Sequence, residues 1–197
     1  PLSLFMSITK KIVLGVLIGG VLVFAYASAY LPFVKAVKYI EAVRAGQNIR
    51  SIDEFKKVFD SVFNFYSPVG NEEVVKFLSN DILTLINQSQ ATEEVSRIVI
   101  EYIEPRLIVN NVRHMITGSR AYETLWRRYG GKEEYYQKAI SYYERAYAIG
   151  PKLPPVLYGM LGLYYAHQDF DKAKNIAEQI LQYWPNDDRL KGILTSQ

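Results

Sequence analysis

The sequence has no cysteine and only two histidines, His114 and His167. The first absence excludes a disulfide framework, thiolate catalysis and cysteine-ligated zinc, while leaving the compartment open, because exported domains also do without cystine. The histidines have no third ligand at a metal-binding spacing, so each reads as a surface or packed side chain and no metal is expected. No stretch alternates apolar and polar residues long enough to make a strand. Gly130-Gly131-Lys132 lacks the preceding strand and the hydroxyl residue of a phosphate loop. Asp169 and Asp171 form a D-x-D pair in what reads as an inter-helix turn, where Asp is expected to cap the local backbone. With no nucleophile motif either, the chain is expected to be non-catalytic and to need no cofactor.

Negative charge is scarce in one region only. The net charge is +3, but residues 1–50 set Lys10, Lys11, Lys35, Lys38, Arg44 and Arg50 against Glu41 alone, a balance of +5. The other 147 residues hold 17 positive and 19 negative charges, which offers no electrostatic footprint for nucleic acid. Arg106, Arg113, Arg120 and Arg127 recur every seven residues and would form one slowly drifting stripe on an unbroken helix, although Gly118 is a candidate interruption.

What the chain has instead is a run of 23 residues, Ile12 to Val34, without a charge, Asn, Gln or His. As a helix rising about 1.5 Å per residue it exceeds the roughly 30 Å hydrocarbon core of a bilayer. Phe24, Tyr26, Tyr30 and Phe33 crowd its second half as an aromatic belt would, and lysines bracket both ends, leaving the topology unspecified. Ala27-Ser28-Ala29 resembles a leader cleavage site, but the run is longer than a leader's apolar region, so a retained helix is expected. The initial Pro1 suggests a processed product or a piece of a longer protein. Gly15 and Gly19 form a G-x-x-x-G pair, Gly20 follows, and Ala25 and Ala29 repeat the four-residue step, a pattern suited to helix–helix packing.

The rest reads as helices. An amphipathic stalk with a stripe of Val34, Val37, Ile40 and Val43 is expected to run to a break at Gly46-Gln47-Asn48, closing a first segment over 1–46. Ser51-Ile-Asp-Glu is a capping-box-like start to a helix carrying Phe55, Val58, Phe59, Val62, Phe63 and Tyr66. Further helices follow from Asn71, with Val74, Val75, Leu78, Ile82, Leu85 and Ile86 on one face, and from Thr92 to a break or kink at Pro105. Leu107, Ile108, Val112, Met115 and Ile116 resume a face beyond it. Residues 51–118 thus form a helical region, and 119–197 carry a repeat.

The repeat is visible on aligning "KAISYYERAYAIGP" (138–151) with "KAKNIAEQILQYWP" (172–185), which sets Ala139 over Ala173 and Pro151 over Pro185, both 34 residues apart. Residues 121–186 resemble the tetratricopeptide repeat family in this period and in Tyr143, Ala146 and Tyr164 at its packing positions. Leu161 stands where the family usually has Gly, with Gly162 one residue late, Ala177 replaces the usual aromatic, and "RRYGGKEEYY" (127–136) lengthens the first turn. The resemblance implies an all-α chain: a long hydrophobic helix followed by an α-α solenoid whose concave face, here Tyr158, Gly162, Tyr165 and Ala166, holds a protein or peptide partner. The alternative for those tyrosines is packing against the next layer.

Three arrangements fit: a membrane anchor displaying an interaction module; the tail of a larger enzyme, since "FKKVFDSVFNFYSPVGNEEVVKFL" followed by such repeats resembles the C-terminal region of bacterial O-antigen ligase-like proteins; and a pilin-like filament subunit with the hydrophobic helix as core, although Phe5 stands where pilins usually carry Glu. All three place the chain in the membrane or at the surface of a bacterial envelope, with self-association through the small-residue helix expected.

Overall fold

The computed structural model describes residues 8–46, 49, 51–88, 91–187 and 190. Phe5 and the Gln47-Asn48 break lie outside them. Among the described residues the secondary structure is helical and includes no strand. The chain divides into two compact units, Pro1–Val74 and Val75–Gln197.

In the first unit, α1 (Ile8–Ala25) continues through a π-helical segment, Tyr26–Tyr30, into α2 (Leu31–Gly46). Ser28 Oγ donates to the Phe24 carbonyl four residues back at 2.7 Å, a bond that competes with the regular ladder at the start of the π turn. The Tyr26 and Tyr30 rings stack 5.3 Å apart along it. Helix α3 (Ile52–Phe63) begins as the sequence leads one to expect: Ser51 accepts from the Glu54 amide at 3.1 Å, and Asp53 and Glu54 sit where the helix dipole favours them.

Helix α3 returns along α2 and buries Phe59 and Val62 against it. The most covered residues of α2 are Lys35 and Ala42, two turns apart; of the expected stripe Val34, Val37 and Val43 are half-buried and Ile40 is exposed. Lys35 is buried because its stem lies against the chain leaving α3 and its ammonium donates to the Phe65 carbonyl at 2.9 Å. Gly70, at φ +100°, lets the backbone turn there, with the Lys35 stem 3.6 Å from where a Cβ would stand. Tyr66 departs from the expected α3 face: the helix stops at Phe63 and Tyr66 lies in the loop, 75% exposed.

Helix α4 (Asn71–Gln88) carries the chain into the second unit, where Leu78, Ile82 and Ile86 are buried while Leu85 is exposed. Thr92 caps α5 (Glu93–Ile103), accepting from the Val95 amide at 3.3 Å. Pro105 ends it in a 3-10 turn, Glu104–Arg106. Ile108 falls in the following turn and is exposed, so the next helical face starts later than its sequence pattern suggests. Helix α6 (Val112–Arg128), capped by Asn111 accepting from the Arg113 amide at 3.0 Å, passes through Gly118 without interruption.

Helices α6 and α7 (Glu133–Ile149) form one hairpin, α8 (Pro154–Ala166) and α9 (Phe170–Tyr183) a second, and α7 packs on α8 between them. The first turn uses Gly130 and Gly131 at φ +81° and +67°; the second uses Gln168 at φ +65° and is one residue shorter. Helix α7 ends just before Gly150-Pro151 and α9 just before Trp184-Pro185. Ala139, Ala146 and Ala173 are all buried, as are Tyr143 and Tyr164, whereas Pro151 and Pro185 are exposed helix stops. Ser119 Oγ donates to the Ala139 carbonyl at 2.7 Å, which shows how closely α6 and α7 approach. Replacing Ala139 or Ala173 by Leu is expected to overpack these seams at a cost of about 1–3 kcal/mol. Denaturant midpoints should fall for both and stay put for Glu178→Leu on the exposed side of α9; equal midpoints for all three would misplace the seams.

Candidate interaction surface

Helix α8 is apolar nearly all round, and Val156, Leu157, Met160, Leu161, Leu163 and Tyr164 are buried. The strip left over consists of Tyr158, Gly162, Tyr165 and Ala166, which share one side of the helix by their spacing. A Cβ at exposed Gly162 would meet nothing within 4 Å. Tyr165 is 49% exposed and stands edge-on to Phe170 at 5.6 Å. Tyr158 is more enclosed: its hydroxyl donates to the Asp187 carboxylate and its ring lies 6.4 Å from Trp184. Ala166 is half-buried. The open part is therefore the Gly162–Tyr165 end, where an extended backbone can approach the helix and lie against an aromatic ring.

Two glycines that the sequence does not single out for packing hold this strip in place. A Cβ on Gly159 would lie 2.3 Å from Cζ and Oη of Tyr143, so the Tyr143 ring rests directly on the α8 backbone. A Cβ on Gly118 would lie 2.8 Å from the ring of Tyr142, making the same kind of contact between α6 and α7. The family pattern points to Leu161 and Gly162 as the place for a small residue, yet close approach occurs at Gly159, and Gly162 faces outward. In sequence, a glycine inside a helical pattern reads as a weak point, and only the ring seated on it reveals its use.

Glu104, in the 3-10 turn, gathers the groups that fix Tyr142. Its carboxylate accepts from the Tyr122 hydroxyl at 2.6 Å and the Tyr142 hydroxyl at 2.9 Å, and Lys138 Nζ lies 3.3 Å away. Burial alone would push this carboxyl up, but the two hydroxyl donors and the lysine outweigh it and hold it below the usual carboxylate range. Burial, with the carboxylate beside them, pushes both tyrosines up, so they remain neutral donors. A carboxylate lowered in the folded state contributes stability that is present above its unfolded value of 4.5 and lost as pH falls through the lower folded one. Acid unfolding is accordingly expected to be less steep below about pH 4.5 in Glu104→Gln than in the parent; parallel stability–pH curves would show that the carboxylate charge contributes nothing.

The histidines are built into the packing. His114 is buried, with Nδ1 accepting from the Ile108 amide at 2.9 Å. His167 stacks on Tyr136 at 3.5 Å, with Nε2 3.0 Å from the Glu133 carboxylate and Trp126 beside both rings. Burial is the main cause that pushes the Tyr136 hydroxyl up to about 12. Among the described residues no three His, Asp or Glu side chains are grouped to hold a metal ion. Asp169 makes no side-chain cap to α9, contrary to the sequence reading, because its carboxylate pairs with Lys172 at 2.8 Å. Nor do the four arginines form one stripe. Arg106 lies in the 3-10 turn, where its guanidinium donates to the Tyr102 carbonyl and covers the Tyr102 ring at 4.1 Å. Arg113, Arg120 and Arg127 share α6, and Arg127 pairs with Glu123 at 2.8 Å.

On α1, Gly15, Gly19 and Gly20 are exposed, and a Cβ at each would meet nothing within 4 Å. Ala25 closes α1 and Ala29 lies within the π turn, so their four-residue step is not an α-helical continuation of the glycine step.

Stacked antiparallel helix pairs, closed at their seams by alanines and ended by prolines, define the second unit's C-terminal part as an α-α repeat array. Residues 132–196 match the tetratricopeptide repeat family, so the chain carries a tetratricopeptide-repeat segment, a module of the kind that mediates protein–protein interaction. That match begins at the turn before α7 and leaves out α6. No curated protein and no solved structure matches the chain.

Proposed function

We propose that the protein is a non-catalytic interaction module held at an envelope membrane by its N-terminal helix, offering the α8 strip to a protein or peptide partner and associating with copies of itself through the Gly15–Gly19 face. One observation carries the reading. Ile12, Val13, Leu14, Val16, Leu17, Ile18, Val21, Leu22, Val23 and Phe24 are exposed around the whole circumference of α1, and no described residue covers them. Leaving each such side chain in water forgoes about 1.5–3 kcal/mol, so the helix requires an apolar surrounding. Lipid supplies one, and open glycines at a four-residue step leave room for a second helix to share it.

The test is flotation of the full chain with phosphatidylcholine–phosphatidylglycerol vesicles, followed by alkaline extraction. The chain is expected to rise with the vesicles and to resist extraction. Lipid-free fibres that leave no protein in the lipid fraction would overturn the membrane reading in favour of a filament core.

A further inference from the structure

We infer that the loop after α3, residues 64–69, is a second membrane contact, laying Tyr66 and Val69 in the headgroup layer beside the point where α2 leaves the bilayer. This rests on the membrane reading above. Helix α3 runs back along α2, so its C-terminal end points towards the apolar run, and the bond from Lys35 Nζ to the Phe65 carbonyl fixes the loop level with Lys35. With Val23 at the bilayer midplane, a rise of about 1.5 Å per residue puts Lys35 about 18 Å out. The hydrocarbon ends about 15 Å from the midplane, and the polar layer extends roughly 5–8 Å further. The loop therefore lies within that layer.

Its chemistry suits the position. Tyr66 is 75% and Val69 59% exposed, the first an amphipathic ring of the kind that favours the interface, the second purely apolar. The Phe65 backbone carbonyl is already satisfied by the Lys35 ammonium. Lys38 lies 5.5 Å over the Phe65 ring, a cation close to the phosphate level. The burial of Lys35 has a purpose in this arrangement: it holds the loop down against the lipid.

Because the chain has no cysteine, single ones can be placed and labelled. Tyr66→Cys and Val69→Cys in the full chain, each carrying a nitrobenzoxadiazole dye, are reconstituted into phosphatidylcholine–phosphatidylglycerol vesicles. Two reference sites are labelled in the same way: Val23→Cys in mid-span, and Gln182→Cys on the exposed side of α9, which controls for the dye's own affinity for lipid. Lipids with a nitroxide near the acyl carbonyl should quench the dyes at 66 and 69, lipids with a nitroxide near the chain end should quench the dye at 23, and neither should quench the dye at 182. Deep quenching at 23 with 66 and 69 behaving like 182 would overturn the loop contact and leave the anchor standing. No quenching at 23 would overturn the membrane reading itself.

Discussion

Gly159→Leu is expected to weaken the repeat segment by about 3 kcal/mol, the upper end of the range for overpacking, because the new side chain must occupy the place of the Tyr143 ring. Tyr143 cannot swing aside, since it is itself buried between helices. Even Gly159→Ala should destabilise, despite the roughly 0.5–1 kcal/mol that alanine normally gains over glycine inside a helix. Gly162→Ala, three residues further along α8, should show that gain undiminished, because its Cβ enters open space. Two identical substitutions on one helix thus have opposite expected signs. Urea denaturation followed by circular dichroism reads both, and a Gly159→Ala protein as stable as Gly162→Ala would mean that the helix seam is not where the structure puts it.

The other large effect is on assembly. Gly15→Ile or Gly19→Ile places a branched side chain where two helices would come closest, and an overpacking cost of about 1–3 kcal/mol corresponds to about 5- to 150-fold weaker association. The sedimentation equilibrium of the full chain in detergent should shift towards monomer for both variants, while the unfolding of the repeat segment stays unchanged. Val21→Ile, which adds one methylene to an exposed position, should sediment like the parent. If all three proteins sediment alike, α1 is a solitary anchor.

Much of the helical architecture can be read in the sequence because burial at a 3.6-residue period marks which side of a helix faces inward, and because Ser51, Thr92 and Pro105 carry local start and stop chemistry. The 34-residue step between Ala139 and Ala173 likewise reveals the repeat without knowledge of its contacts. Periodicity says nothing, however, about how closely two helices approach. Gly118 therefore reads as a possible break, and Gly159 goes unnoticed, although each is a bearing surface for a tyrosine. Glu104 escapes for another reason: its partners lie between 18 and 38 residues away, and no local pattern links them. Lys35 is legible only as a flanking charge, because a lysine turned inward onto a backbone carbonyl has the same sequence signature as one facing lipid headgroups.

The π turn at Tyr26–Tyr30 sets the phase between the two ends of the long N-terminal helix. A regular α-helix advances about 100° per residue, so sixteen steps from Gly19 to Lys35 would leave those residues about 160° apart, on nearly opposite sides. One extra residue in a π turn takes back about 100° and brings them to within about 60°. The turn thus acts as an angular offset of the kind a single-residue insertion introduces. Where copies meet through their glycine faces, the α3 hairpins then stand beside the seam; deleting one residue from the turn would leave them there, because fifteen regular steps also come to about 60°, whereas drawing the same residues into a regular α-helix would swing each hairpin to the far side of its own helix.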